Sequence, residues 1–130
     1  MKLDNIVAVS GMPGLYKMAG SRSNGLIIED LDSGKRRFAS VRKHQFTPLE
    51  SVSIYTMMDT SPLTEVFGSI QQSGDLPESN AGSQELQAWF GTILPNYDED
   101  KVLVSDIRKI IRWYQYLDER NLLTGSDEEE

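Results

Sequence analysis

The reactive side chains of this 130-residue chain are few: one histidine, no cysteine, and carboxylates in plenty. Without cysteine there is no disulfide framework, zinc finger, iron–sulfur site or thiol nucleophile. His44 stands in Arg42-Lys43-His44-Gln45 with no neighbouring acid to orient it, so a Ser-His-Asp arrangement finds no support. Ser40-Val41-Arg42-Lys43 has the S-x-x-K spacing of serine acyltransferases. In those enzymes the serine opens a helix, whereas this segment reads as strand and loop. Asp30-x-Asp32-x-Gly34 and Asn96-x-Asp98-x-Asp100 imitate the opening of a calcium loop. Both lack the glycine at position 6 and the glutamate at position 12, because Lys35 and Val41, then Lys101 and Ile107, stand there. Gly11, Gly14, Gly20 and Gly25 do not follow a phosphate-binding spacing and serve to curve the backbone. No nucleophile can be placed beside a base, so the expectation is a protein that is not an enzyme. No cofactor or metal is called for.

Charge gives the stronger hint. Residues 1–60 hold 8 basic and 6 acidic side chains, and residues 61–130 hold 5 and 14. The total of −7 is therefore a first half at +2 and a second at −9. Lys35, Arg36, Arg37, Arg42 and Lys43 crowd together without an acid among them, interleaved with Phe38 and Phe46. Cations beside aromatics can hold a nucleic-acid strand, while the overall acidity opposes a strong footprint of that kind. The same cations could meet an acidic surface of a second copy. Further on, Arg108, Lys109 and Arg112 share a helix with Asp106, Asp118 and Glu119, which reads as a solvated face. Trp113 and Tyr116 lie off that helix's main apolar stripe and are candidates for a partner surface or a broad core face.

The elements that must position these groups divide along the chain. Residues 3–9, 15–19, 26–29, 35–41 and 51–57 read as short strands separated by turn clusters. Phe38 and Val41 are expected to be buried. Asn24-Gly25 is expected to form a type I′ hairpin, whose two central residues need positive φ. Four or five short strands in so few residues imply a small antiparallel barrel, SH3-like in preference to OB-like. Ser61-Pro62 then starts a helix with Leu63, Val66, Phe67 and Ile70 on one face. Leu86, Trp89, Phe90 and Ile93 stripe a second. Ile107, Ile110, Ile111, Tyr114 and Leu117 stripe a third, which Asn121-Leu122 should close as a Schellman motif.

Several runs together carry a resemblance: Gly14-Leu15-Tyr16-Lys17, Asn24-Gly25-Leu26-Ile27-Ile28-Glu29, Leu31-Asp32-Ser33-Gly34-Lys35-Arg36, Ser53-Ile54-Tyr55-Thr56, Leu94-Pro95-Asn96-Tyr97-Asp98 and Val104-Ser105-Asp106-Ile107-Arg108-Lys109 with Trp113-Tyr114. Over residues 3 to 123 the chain resembles an uncharacterised Bacteroidota family of small acidic proteins. The resemblance implies an N-terminal barrel-like domain followed by a helical domain, bacterial cytoplasmic origin and an unknown function. It supplies no site residues.

The expectation is thus an α+β protein: an SH3-like barrel over residues 1–60, a helical domain over 61–123 and a disordered acidic tail over 124–130. No apolar run approaches a membrane span, no signal peptide is evident, and the setting expected is the cytoplasm. The expected role is a binding or adaptor module engaged in protein–protein interaction or self-association. The alternative is RNA or DNA binding through residues 35–43.

Overall fold

A computed structural model describes residues 3–123, so the expected acidic tail lies outside the described residues. The chain divides into two compact units, Leu3–Val52 and the residues from Ser53 onward.

In the first unit, five strands form one antiparallel sheet: β1 (Ile6–Val9), β2 (Leu15–Arg22), β3 (Gly25–Asp30), β4 (Arg36–Ser40) and β5 (Phe46–Pro48). The order is β4-β3-β2-β1-β5. The period of two sets the core. Val7, Val9, Ile28 and Ala39 turn to one face and are buried, with Met12, Tyr16, Leu26 and Phe46 packed on them. Ile28 is fully shielded, and such a side chain contributes about 1.5–3 kcal/mol of hydrophobic stabilisation.

The expected barrel is corrected to an open sheet, since no pairing joins β4 to β5 among the described residues. The reason is local. β5 is three residues long and stops at Pro48, which has no N–H to extend a ladder, and a 3₁₀ turn, Leu49–Ser51, follows at once. The expected burial of Phe38 and Val41 is also corrected. They are 44% and 54% exposed, because Ala39 takes the inward position on β4.

The β2–β3 hairpin differs from its expected form as well. Arg22 pairs with Gly25, so the two loop residues are Ser23 and Asn24. Neither Asn24 nor Gly25 adopts positive φ. Glycine is needed at 25 for space: a Cβ there would collide with the Ala39 carbonyl oxygen and lie 2.7 Å from Cζ of Phe38. Positive φ is used instead at Gly11 and Gly14, which turn β1 into β2, and at Gly34 before β4.

In the second unit, β6 (Ser53–Tyr55) pairs with β7 (Thr60–Pro62), and three helices follow: α1 (Leu63–Ser73), α2 (Ser83–Ile93) and α3 (Val104–Glu119). Residues 53–55, read from sequence as part of the last barrel strand, belong to this separate hairpin. Ser61-Pro62 therefore closes a strand, and α1 begins one residue later, at Leu63. The three expected stripes are the buried faces. Phe67 of α1 meets Tyr114 of α3 edge-to-face with centroids 5.6 Å apart. Phe90 of α2 meets Tyr97 in the same way at 4.9 Å. α1 stops at Gly74, whose φ of 68° is left-handed. α3 ends in the expected Schellman motif. Asn121 has φ 58°, Leu122 N–H donates to the Leu117 carbonyl at 2.9 Å, and Asn121 N–H donates to that of Asp118 at 3.1 Å. At its other end, the Asp106 carboxylate accepts the Leu103 N–H at 2.9 Å, satisfying a donor the helix leaves orphaned.

No helix among the described residues is long and apolar enough to cross a membrane.

Candidate functional site

The groups singled out for catalysis or metal binding are engaged in backbone work. His44 Nδ1 lies 2.7 Å from the Ser10 carbonyl oxygen. A carbonyl only accepts, so Nδ1 carries the proton in this contact. Ser10 and Gln45 complete the link, with Ser10 N–H to the Gln45 carbonyl at 2.9 Å and Gln45 N–H to Ser10 Oγ at 2.7 Å. The histidine thus ties the turn after β1 to the turn before β5. Ser40 Oγ accepts the Arg42 N–H at 3.0 Å, and the Ser40 carbonyl accepts the N–H groups of Lys43 and His44. It is a turn residue. Asp30 Oδ1 accepts the N–H groups of Asp32 and Ser33, and Asp98 Oδ1 those of Asp100 and Lys101. Both are Asx turns that direct a carboxylate onto its own backbone. Among the described residues no cluster of three or more acids or histidines could hold a metal ion.

The five cations of the basic segment are distributed by strand geometry. Arg36 and Arg37 are consecutive on β4, so their side chains leave opposite faces. Arg36 Nε bonds Glu29 Oε1 at 2.9 Å across the β3–β4 register pair. Arg37 shares the face of Ala39. Lys35 precedes the strand. Arg42 and Lys43 follow it, beyond a strand that spans about 13 Å. The structure therefore brings together only Arg42 and Lys43, in an exposed turn with Val41. A sixth cation joins them. Arg22 stands in one cross-strand row with Gly25 and Ser40. Phe38 lies on that same face, its ring over Gly25. Phe38 is thus exposed in the neighbourhood of Arg22, and Val41 is exposed separately in the turn that carries Arg42 and Lys43. Sequence reasoning missed Arg22 because it is thirteen or more residues from the other members, and only the register brings it near.

A second exposed apolar group was not singled out from sequence. The β6–β7 hairpin carries Met57 and Met58 at its tip, 70% and 88% exposed. Its backbone is pinned on several sides. Thr56 N–H donates to the Asp59 carbonyl, and Asp59 N–H donates to Thr56 Oγ1, both at 2.9 Å. Met57 N–H donates to the Asn96 carbonyl at 2.8 Å, Asp98 N–H to that of Tyr55 at 2.9 Å, and Thr56 bridges Tyr97. The segment that follows α2 is thereby laid along the hairpin. It brings Lys101 over the exposed Tyr55 ring, 5.1 Å from the centroid. Burial, and next the Glu99 carboxylate, hold the Tyr97 phenol above its ordinary pKa of 10.

The remaining candidates lie on α3. Arg108 Nη1 donates to the carbonyls of Ser79 and Ala81 at 3.0 and 3.1 Å, so it holds the α1–α2 loop. The Trp89 indole N–H holds the other end of that loop through the Asp75 carbonyl at 3.0 Å. Trp113 and Tyr116 are both half-buried. The Arg120 guanidinium stacks on the Tyr116 ring at 3.5 Å and donates to the Tyr116 carbonyl at 3.0 Å. One face of that ring is therefore covered within the chain.

With this geometry established, comparison with known proteins places the chain in a class. Residues 52–117, just over half its length, match the family described as Domain of unknown function (DUF6852), and the chain belongs to that family. Residues 3–49 match a second, Domain of unknown function (DUF5606). A solution NMR structure of a structural-genomics target from Bacteroides vulgatus is similar along nearly the whole chain. The identity is 36% and the TM-score 0.72, with 89% of this chain and 85% of that one covered. The likeness supports the Bacteroidota-type family of unknown function that the sequence resembles. No curated protein matches.

Proposed function

We propose that this protein is a non-enzymatic protein-binding module whose docking element is the β6–β7 hairpin. One observation carries the reading: Met57 and Met58 stand in solvent on a backbone held from three sides. Exposed methionine suits a binding surface, because its unbranched, polarisable side chain adapts to an apolar partner. A pinned backbone lowers the ordering cost that binding must overcome. Trp113 and Tyr116 have weaker support as a partner surface, being half-buried, with the Tyr116 ring under Arg120. RNA or DNA binding on Lys35, Arg36, Arg37, Arg42 and Lys43 also has weaker support, because the strand divides those cations and Glu29 engages Arg36. For the first unit, the strand order with a 3₁₀ turn after β5 supports an SH3-like topology, opened at one seam. A chain without cysteine fits a cytoplasmic setting.

The test is a photo-crosslinking amino acid placed at position 58 in the native cell. Protein adducts that disappear when Met57 is changed to serine in the same chain support the reading. Adducts to nucleic acid, or none above an unirradiated control, refute it. Fluorescence anisotropy with mixed oligonucleotides adds an independent arm. Binding that weakens steeply with salt would favour the nucleic-acid reading.

A further inference from the structure

Sulfur in this chain is all thioether: five methionines and no cysteine. Reversible oxidation of a side chain therefore falls to methionine, since thiol chemistry is excluded. Met1 lies outside the described residues, and the other four differ in access. Met12 is packed against the sheet core, and Met18 on β2 is half-buried. Met57 and Met58 are the two most exposed large apolar side chains among the described residues, and they are consecutive at the hairpin tip. We propose that Met57 and Met58 form a reversible oxidation site for hydroperoxides, and that their oxidation releases the partner docked on the hairpin. This names a regulation of the docking surface and rests on the protein-binding reading above.

The chemistry is an oxygen transfer. The thioether sulfur attacks one peroxide oxygen, the S–O bond forms as the O–O bond breaks, and the rest of the hydroperoxide leaves as water or an alcohol. Sulfur loses two electrons and the peroxide gains them. The reverse step takes a dithiol reductant through a methionine sulfoxide reductase: the oxygen departs as water and the dithiol closes to a disulfide. Both steps need a sulfur within reach from solvent, which Met57 and Met58 offer. The sulfoxide keeps the side chain's length but makes its apolar end polar and chiral, which weakens an apolar contact. The hairpin is held independently of the change. Its bonds run from Thr56 and Met57 N–H to the Asp59 and Asn96 carbonyls, and from Asp59 N–H to Thr56 Oγ1, and no thioether takes part in them. Oxidation therefore alters what the hairpin offers a partner and leaves its backbone in place.

The experiment uses the full chain. Limiting hydrogen peroxide is added, and peptide mapping by mass spectrometry follows sulfoxide at each methionine. Met57 and Met58 should oxidise at least about fivefold faster than Met12 and Met18, following access. Far-UV circular dichroism and Tm should stay at the parent's values, and methionine sulfoxide reductases with dithiothreitol should restore the thioethers. In the native cell, a photo-crosslinking amino acid replaces the exposed Asp59, so that both methionines are kept. A peroxide pulse should cut protein adducts at least about fivefold, with recovery as the sulfoxides disappear. Met57→Leu with Met58→Leu keeps an apolar surface that cannot be oxidised, and its adducts should persist through the pulse. Met57→Gln with Met58→Gln, polar and of similar length, should lose them without peroxide. Both positions are exposed, so neither variant should change the melt. Oxidation of Met57 and Met58 no faster than that of Met12 overturns the inference, as do adducts that survive oxidation of both or that the glutamine variant retains. Equal loss from the leucine variant overturns it too, because the pulse then acts on the partner. In each of these cases, adducts from the unoxidised parent leave the binding reading standing. An unoxidised parent without protein adducts from position 58 or 59 ends both.

Discussion

Changing Gly25 to alanine should destabilise the first unit, and the expected sign is decided by one carbonyl. Gly25 does not use positive φ, so removing glycine's freedom in the unfolded chain would by itself favour the variant by about 0.4–1 kcal/mol. Against this, the new Cβ collides with the Ala39 carbonyl oxygen and sits 2.7 and 2.9 Å from Cζ and Cε1 of Phe38. Comfortable carbon contacts are about 3.5–4.0 Å. The ring is half in solvent and can swing away. The carbonyl belongs to β4, which cannot retreat without disturbing the pairing of Leu26 with Ala39 and Gly25 with Ser40. Forcing a group into a filled site costs about 1–3 kcal/mol. The balance is a loss of about 1–2 kcal/mol, or about 4–8 °C in Tm for a chain of this size. Differential scanning calorimetry and urea titration measure it. The same change in a Phe38→Ala background separates the two collisions, and most of the loss should persist there. A Tm equal to or above the parent's would refute the reasoning. So would complete rescue by Phe38→Ala, since the backbone collision would then count for nothing.

Gly68 and Gly91 offer the opposite case: both lie inside helices with no atom within 4 Å of a Cβ position. Alanine at either should raise stability by about 0.5–1 kcal/mol, read from the urea midpoint. Arg108→Met should free the α1–α2 loop from the Ser79 and Ala81 carbonyls, costing about 1–2 kcal/mol and speeding protease cleavage within residues 76–81. Asp106→Ala should cost about 0.5–1 kcal/mol by leaving the Leu103 N–H without its acceptor, again measured by urea unfolding. Stability should also fall at alkaline pH. Burial, then the Asp118 carboxylate, raises the Tyr114 phenol above 10, and Tyr97 is raised similarly by burial and Glu99. The folded state therefore keeps protons that the unfolded state releases, so stability is full below pH 10 and declines as pH rises through the folded values. Melts across this range should show a shallower decline in Tyr114→Phe and Tyr97→Phe.

The helices were readable in the sequence because their signals are local. Spacing of three and four residues put Ile107, Ile110, Ile111, Tyr114 and Leu117 on one face, and an Asn-Leu pair marked the end of α3. The sheet was readable only in outline. Asn24-Gly25 suggested a turn type from a dipeptide, whereas the glycine answers to a strand fourteen residues away. Phe38 looked like core by composition, and the smaller Ala39 took the inward position. The run of cations looked like one surface because its members are neighbours in sequence. Alternation along β4 splits them, and the β2–β3 pairing recruits Arg22 instead. Arg108 gave no local sign of its role, since its acceptors are 27 and 29 residues away. Met57 was hidden at the end of what read as a single strand over 51–57, with Met58 just past it, because nothing in the alternation of Val52, Ile54 and Tyr55 foretells a reversal at Thr56.

The chain's single histidine and its Trp89 give each unit a natural spectroscopic label. The His44 ring, its Nδ1–H held against the Ser10 carbonyl, is the chain's single imidazole, so its signals need no assignment by mutagenesis. The Trp89 indole N–H, bonded to Asp75, reports from the helical unit by its shift and its slow exchange with solvent. Followed together through one titration with urea, the two signals would show whether the sheet and the helices lose structure at a single midpoint or at two.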